Sequence, residues 1–252
     1  GGSKMSAFSL AGRRALGTGA NTGIGQAIAL ALADQGAPVT CAGRRDCAET
    51  CAAIAAKGGI ADEMILDFAD PMAAREIFAG AGYSILVNNA GIIRREDSLD
   101  HTEADWDAVM DVNLKALFFT TQAFVKAHLD RAPRGPAAVV NIASLLAFLG
   151  GIRVPAYTAS KQGVAGLTKI LANEWAAVGI NVNAIAPGYV VSNNTENLRK
   201  DADRNTAILE RIPAGRWGEP SDIGHTAAFL ASPAAAYIHG AVINVDGGWL
   251  AR

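Results

Sequence analysis

Histidine, cysteine and aromatic residues are scarce in this chain of 252 residues, at four, three and 6%. Cys41, Cys47 and Cys51 have no second cluster and no histidine at ligand spacing, which excludes a disulfide framework and a structural zinc site. They read as small core or helix-surface residues in a reducing compartment. His101, His128, His225 and His239 are scattered, and no metal site is expected. No run approaches the roughly 20 apolar residues of a membrane span. The start lacks the charged-then-apolar pattern of a secretory leader, so a cytoplasmic protein is expected. Residues 1–6 read as a tag remnant and disordered start, with Met5 the natural beginning. A formal net charge of −2 offers neither a basic footprint for nucleic acid nor a polybasic membrane anchor, which leaves a small molecule as the expected partner.

What is present is an alternation. Half of the residues are hydrophobic, enough for a large core in one domain spanning 7–252. Strand-like runs follow Arg14 and recur before Asp46 and at Met64–Leu66, Ile85–Val87, Ala138–Ile142, Ile180–Ile185 and Ala241–Val245, separated by segments of helical spacing. The fold class is therefore α/β, a single Rossmann-type doubly wound parallel sheet of about seven strands with helices on both faces. The polar stretch from Ser192 to Glu210 follows a strand's carboxyl end, where open sheets of this kind bind ligands, and reads as a substrate lid around 190–212.

Two stretches carry candidate chemistry. Between Ala156 and Ala177 the apolar residues Val164, Leu167, Ile170, Leu171 and Trp175 predict a helix with one buried stripe. Tyr157 and Lys161 lie four apart in its first turns, stacked on one side, where an ammonium can lower the pKa of a phenol from its free value of about 10. The second stretch is TGANTGIG at Thr18–Gly25, with Gly19, Gly23 and Gly25 between a strand and a helix. Glycine there permits a tight turn and close approach of a pyrophosphate to free helix N–H groups.

These segments, with NNAG at Asn88–Gly91, Asn113 in DVNLKA, Ser144 in NIAS and Pro187–Gly188, occur in the order and spacing of the short-chain dehydrogenase/reductase family, which the chain resembles from Leu10 onward. Gly17 departs from the family's usual β-branched residue and should loosen the first strand. The resemblance implies hydride transfer between nicotinamide and a carbinol carbon, with Tyr157 as general acid/base, Ser144 as hydrogen-bond donor to the substrate oxygen, and Lys161 acting on Tyr157 and the nicotinamide ribose. Asn113 would hold a water linking Lys161 to solvent; it also reads as a buried amide satisfied by the backbone, which would perturb its helix, and the two readings are compatible. The implied coenzyme site comprises Gly19, Asn21, Thr22, Gly23, Ile24 and Gly25, the segment Gly43, Arg44 and Arg45, the adenine-contacting Asp67 and Phe68, the turn Asn89, Ala90 and Gly91, and Pro187, Gly188, Val190 and Ser192. Asn88 instead reads as a tie between central strands, and Asp70 as a helix cap.

Coenzyme choice rests on the end of the second strand. No carboxylate stands at Gly43 to accept ribose hydroxyls, and Arg44, with Arg45 beside it, can grip a 2′-phosphate, so NADP(H) is preferred and NAD(H) is possible. Thr22 stands where phosphate-preferring relatives often carry a second basic residue, and Asp46 is placed to neutralise one arginine.

For substrate, Ile92–Leu99, Gly150–Lys161, Asn181–Thr195, Arg211–Asp222 and the terminal VDGGWLAR resemble the 2-deoxy-D-gluconate 3-dehydrogenase subgroup, also called 2-keto-3-deoxygluconate oxidoreductases. That resemblance implies an acid sugar. Arg94 and Arg153 are placed to bind its carboxylate, and Asn193 and Asn194 to bind its hydroxyls. Competing readings are a gluconate 5-dehydrogenase-like enzyme, a 3-oxoacyl-carrier-protein reductase, for which Arg131 and Arg134 would be a sparse carrier patch, and a non-catalytic dinucleotide-binding regulator. The helices at Thr102–Leu129 and Ala156–Ala177 resemble those that pair across a two-fold axis in the family, which implies a homotetramer.

Overall fold

The computed structural model describes residues 6–252, so the expected tag remnant falls, apart from Ser6, outside the described residues. Seven parallel strands form one sheet in the order β3-β2-β1-β4-β5-β6-β7. They are β1 (Arg14–Thr18), β2 (Val39–Gly43), β3 (Ala61–Ile65), β4 (Tyr83–Asn88), β5 (Ala137–Ile142), β6 (Ile180–Pro187) and β7 (Val242–Val245). β4 and β5 are buried along their whole length, as the continuous apolar runs of a strand covered on both faces require.

Successive side chains alternate between two cores. Ala15, Ile85, Val87 and Val140 pack against α1 (Gly23–Asp34), α2 (Ala48–Ala56) and α8 (Pro220–Ala231). Leu16, Leu86, Val139 and Val182 face the other way, toward α4 (Ala116–Leu129) and α5 (Pro155–Trp175). Close packing of α1 on α8 depends on Gly224, where a Cβ would lie 2.6 Å from the Ala27 carbonyl oxygen.

Three expectations need correction. Residues 69–81 form turns and no helix, because Pro71 and the left-handed Gly80 and Gly82 leave too short a run, while Ala74 and Phe78 are pulled into the core. Asp70 accordingly accepts the Met72 N–H at 2.9 Å within a turn. Ile170 is 47% exposed, so the stripe on α5 is narrower than its spacing suggested. The long helix expected over Thr102–Leu129 is α3 (Glu103–Met110) and α4 joined by one π-helical turn, Asp111–Lys115, centred on Asn113. The lid is a 3-10 turn at Asn193–Thr195 followed by α6 (Glu196–Lys200) and α7 (Ala202–Arg211). No helix among the described residues is long and apolar enough to cross a membrane.

Candidate active site

The strand order reverses between β1 and β4, so the connections leaving these strands run to opposite faces and a crevice opens beyond their carboxyl ends. Thr18, the last residue of β1, ties the two sides together: its Oγ1 accepts the N–H groups of Asn89 and Ala90, each at 3.0 Å. Asn89 Nδ2 donates to the Gly19 carbonyl oxygen at 3.2 Å. Behind them, buried Asn88 donates from Nδ2 to both Thr121 Oγ1 and Asn141 Oδ1 at 2.9 Å, the expected tie between β4 and β5.

The glycine turn is built for a ligand. A Cβ at Gly25 would lie 1.9 Å from the Gly19 carbonyl oxygen, so the turn closes only with glycine there. At Gly23, with φ of 56°, a Cβ would meet nothing closer than Ser192 Cβ at 4.0 Å, and the turn opens on free space. α1 starts at this opening. Its N-cap Thr22 makes no side-chain capping bond and its first turn holds no acidic residue, so the free N–H groups and positive dipole end are unclaimed by side chains. A diphosphate fits that cradle.

The end of β2 agrees with the coenzyme expectation. A Cβ at Gly43 would sit 3.1 Å from the Arg45 carbonyl oxygen, 3.3 Å from Cys47 Sγ and 3.7 Å from Asn21 Oδ1, which leaves little room for a ribose-binding carboxylate. Arg44 and Arg45 are exposed and form no ion pair among the described residues. Asp46 accepts the Ala48 N–H at 3.4 Å at the start of α2 instead of neutralising an arginine. Asp67 lies exposed beyond β3, with Oδ1 accepting the Ala69 N–H at 2.9 Å. The ring of Phe68 and the side chain of Val190 are buried in the core, so a ligand would meet only their backbone. Pro187 ends β6, and Gly188 passes so close to β7 that a Cβ would lie 2.6 Å from Asp246 Cα.

Ser144, Tyr157, Lys161 and Asn113 converge beside this cradle. Ser144 follows β5 and its Oγ accepts the Leu146 N–H at 3.1 Å. Burial pushes the Tyr157 phenol above its ordinary value, opposed by a hydrogen bond with Ser144 and by the positive charge of Arg95. Burial also depresses Lys161, to about 8. Its Nζ donates to the Ile142 carbonyl oxygen at 2.9 Å and stands 5.5 Å from the centroid of the Tyr157 ring. The expectation that Lys161 lowers the phenol's pKa is therefore not met here: the amine faces the ring, and burial raises the phenol.

Asn113 accepts the Ile92 N–H at 2.8 Å and donates to the Ile92 carbonyl oxygen at 2.9 Å and to Ser160 Oγ at 3.3 Å. The backbone-satisfied reading of this amide holds. Gly91 lets the chain pass, since a Cβ there would be 3.4 Å from Asn113 Oδ1 and 3.8 Å from Lys161 Nζ.

The carboxylate partners expected from the sequence are already engaged. Arg153 has a left-handed backbone with φ of 64° and pairs with Glu96 and Asp97, each at 3.2 Å. Arg94 pairs with Asp105 at 3.4 Å. Arg95, which was not among the expected carboxylate partners, has an exposed side chain whose positive charge lowers the Tyr157 phenol. The only signal for it was its position next to Arg94 in IIRRED, and both arginines are exposed. Asn193 and Asn194 are exposed at the opening of the lid. Arg131 and Arg134 bond to carbonyl oxygens of Gly82, Tyr83 and Leu129, at the opposite end of the sheet from the crevice, and form no carrier patch at its mouth.

Comparison with known proteins agrees with this geometry. A family model described as enoyl-(acyl carrier protein) reductase matches residues 17–250. The 2-dehydro-3-deoxy-D-gluconate 5-dehydrogenase of Bacillus subtilis (strain 168) is 53% identical over 98% of both chains. Its namesake from Escherichia coli (strain K12) is 49% identical over 98% of this chain and 99% of its own. A crystal structure from Agrobacterium tumefaciens, assigned as a 2-deoxy-D-gluconate 3-dehydrogenase with bound NADP, is 68% identical and superposes with a TM-score of 0.96 over 98% of this chain and all of that one.

Proposed function

The chain belongs to the short-chain dehydrogenase/reductase family, and from that membership we propose that it is a dehydrogenase of acid sugars that prefers NADP(H) and accepts NAD(H). The observation that carries the reading is the meeting of Ser144, Tyr157 and Lys161 beside a glycine turn that opens on space and free helix N–H groups. The nicotinamide, when bound, supplies or accepts the hydride. Tyr157 passes the proton to and from the substrate oxygen through its hydroxyl, and Ser144 donates a hydrogen bond to the same oxygen. Lys161 holds positive charge beneath the ring, and Asn113 fixes the Ile92 turn that roofs Lys161.

Gly43, Arg44 and Arg45 favour the phosphorylated coenzyme, with Asn21, Thr22, Ile24, Asp67, Asn89, Ala90 and Ser192 around the remainder of it. Arg95 binds the acid-sugar carboxylate, the role first expected of Arg94 and Arg153, and Asn193 and Asn194 meet the sugar hydroxyls from the lid. The named relatives are divided between oxidation at C5 and at C3, so the substrate is a 2-dehydro-3-deoxy- or 2-deoxy-hexonate. All three cysteines are free thiols, in keeping with a reducing cytoplasm.

Initial rates test this: oxidation of 2-deoxy-D-gluconate and D-gluconate, and reduction of deoxy-diketo hexonates, each with both coenzymes. Tyr157→Phe should lower turnover by about 10²–10⁴. Arg95→Gln should raise KM for the acid sugar about tenfold, a charge-assisted hydrogen bond lost. Turnover of neutral ketones alone, with no acid sugar accepted, would sink the substrate assignment and leave the chemistry standing.

A further inference from the structure

Ser160 lies between Tyr157 and Lys161 in the sequence and has no part in the chemistry assigned above. It is fully buried, and its hydroxyl both donates and accepts. Oγ donates to the Tyr157 carbonyl oxygen at 2.7 Å and accepts from Asn113 Nδ2 at 3.3 Å. Asn113 Nδ2 also donates to the Ile92 carbonyl oxygen at 2.9 Å, and its Oδ1 accepts the Ile92 N–H at 2.8 Å. A continuous path of hydrogen bonds therefore runs from the turn after β4, through the π turn, to the backbone of Tyr157. The path ends in the first turn of α5, which carries no capping side chain: the N-cap is Val154, and Tyr157 is the third residue of the helix.

The same arrangement occurs away from the chemistry. Thr168, about two turns further along α5, donates to the Val164 carbonyl oxygen at 2.8 Å and accepts from Asn141 Nδ2 at 3.1 Å. Thr121 on α4 donates to the Leu117 carbonyl oxygen at 2.7 Å and accepts from Asn88 Nδ2 at 2.9 Å. In both, the asparagine sits on a strand and the hydroxyl fastens a helix to the sheet. At Ser160 the asparagine sits on the π turn, and the carbonyl that receives the hydroxyl belongs to Tyr157 itself.

Resting on the dehydrogenase reading above, we propose that Ser160 is a positioning residue: it transmits the placement of Asn113 to the first turn of α5 and so fixes where the Tyr157 hydroxyl meets the substrate oxygen. Without the Ser160 hydroxyl one buried Asn113 Nδ2 donor loses its acceptor, and the amide or the helix must shift to satisfy it. A shift of the helix moves the phenol with it, and a misplacement of about 1 Å can cost about a hundredfold in turnover.

The test is steady-state kinetics with NADP(H) and the acid sugars named above, with Tm and NADPH binding measured alongside, for wild type, Ser160→Ala, Ser160→Cys, Ser160→Thr and Thr168→Val. Ser160→Ala should lower kcat about ten- to a hundredfold, with KM for the sugar and affinity for NADPH within about twofold of wild type. Ser160→Thr keeps the hydroxyl and should restore most of kcat. Ser160→Cys keeps the volume with a weaker donor and acceptor, so its kcat should fall between those of Ser160→Ala and wild type. Thr168→Val removes the same two bonds from the same helix, so it should lower Tm as Ser160→Ala does and leave kcat unchanged. Wild-type kcat in Ser160→Ala, or in Ser160→Cys where the alanine variant does not fold, would overturn the proposal. So would equal losses of kcat in Ser160→Ala and Thr168→Val, which would assign the effect to stability. If wild type itself turns over no alcohol or ketone, the dehydrogenase reading fails and the proposal falls with it.

Discussion

Lys161 is held in the folded chain at a cost. Its amine is buried and its pKa falls from 10.5 to about 8, while the unfolded chain keeps the ordinary value. For a base with a depressed pKa the folded state disfavours the proton, so the penalty is absent above pH 10.5, grows as pH falls toward 8, and is constant below that. Its size at neutral pH is about 3 kcal/mol, partly offset by the bond from Nζ to the Ile142 carbonyl oxygen. Lys161→Met should therefore unfold about 2 kcal/mol less readily than wild type at pH 7 in urea titrations, with the gap closing between pH 8 and 10.5. A variant less stable than wild type at pH 7 would refute the desolvation account. At this scale the sequence was informative where geometry is local: a spacing of four on a helix put Tyr157 and Lys161 together. It was uninformative about Arg94 and Arg153, because their partners Asp105, Glu96 and Asp97 are brought to them by the paths of loops, including a left-handed Arg153 that no pattern announces.

Among the elements, β1 shows a local weakness. Gly17 is buried in this central strand, and a Cβ added there would meet nothing within 4 Å. A strand glycine costs roughly 0.5–1 kcal/mol relative to alanine, so Gly17→Ala should raise Tm by about 2–4 °C with coenzyme affinity unchanged. A fall in Tm would mean that the space is not free, and weaker coenzyme binding that it belongs to the ligand. The joined helix α3–α4 illustrates how an element is bent to serve a site. One π turn widens the helix at Asn113, which lets the amide bond both the N–H and the carbonyl of Ile92. Helical periodicity announced the helix, and a buried amide hinted at its disturbance. The kind of disturbance depended on the opposing loop. Residues 69–81 went the other way, since two buried residues docked on the core outweighed a weak helical tendency.

For the whole molecule, apolar residues remain exposed on the helices expected to pair between copies, with Trp106 on α3 at 40% and Ile170 on α5 at 47%. A two-fold contact would bury them. Light scattering of the purified chain should give the mass of four copies, and Ile170→Glu should shift it toward smaller species; a monomeric wild type would remove the tetramer. The sequence by itself determined the alternation of strands and helices, the parallel sheet, the glycine turn and the catalytic pair, because each rests on residues near one another in the chain and on periodicities of 2 and 3.6. Only the tertiary structure decided which arginines among the described residues are free of ion pairs and which way the phenol and the amine shift. Those depend on burial and on charges brought together from distant segments, and desolvation is a property of the packed interior that no stretch of sequence carries alone.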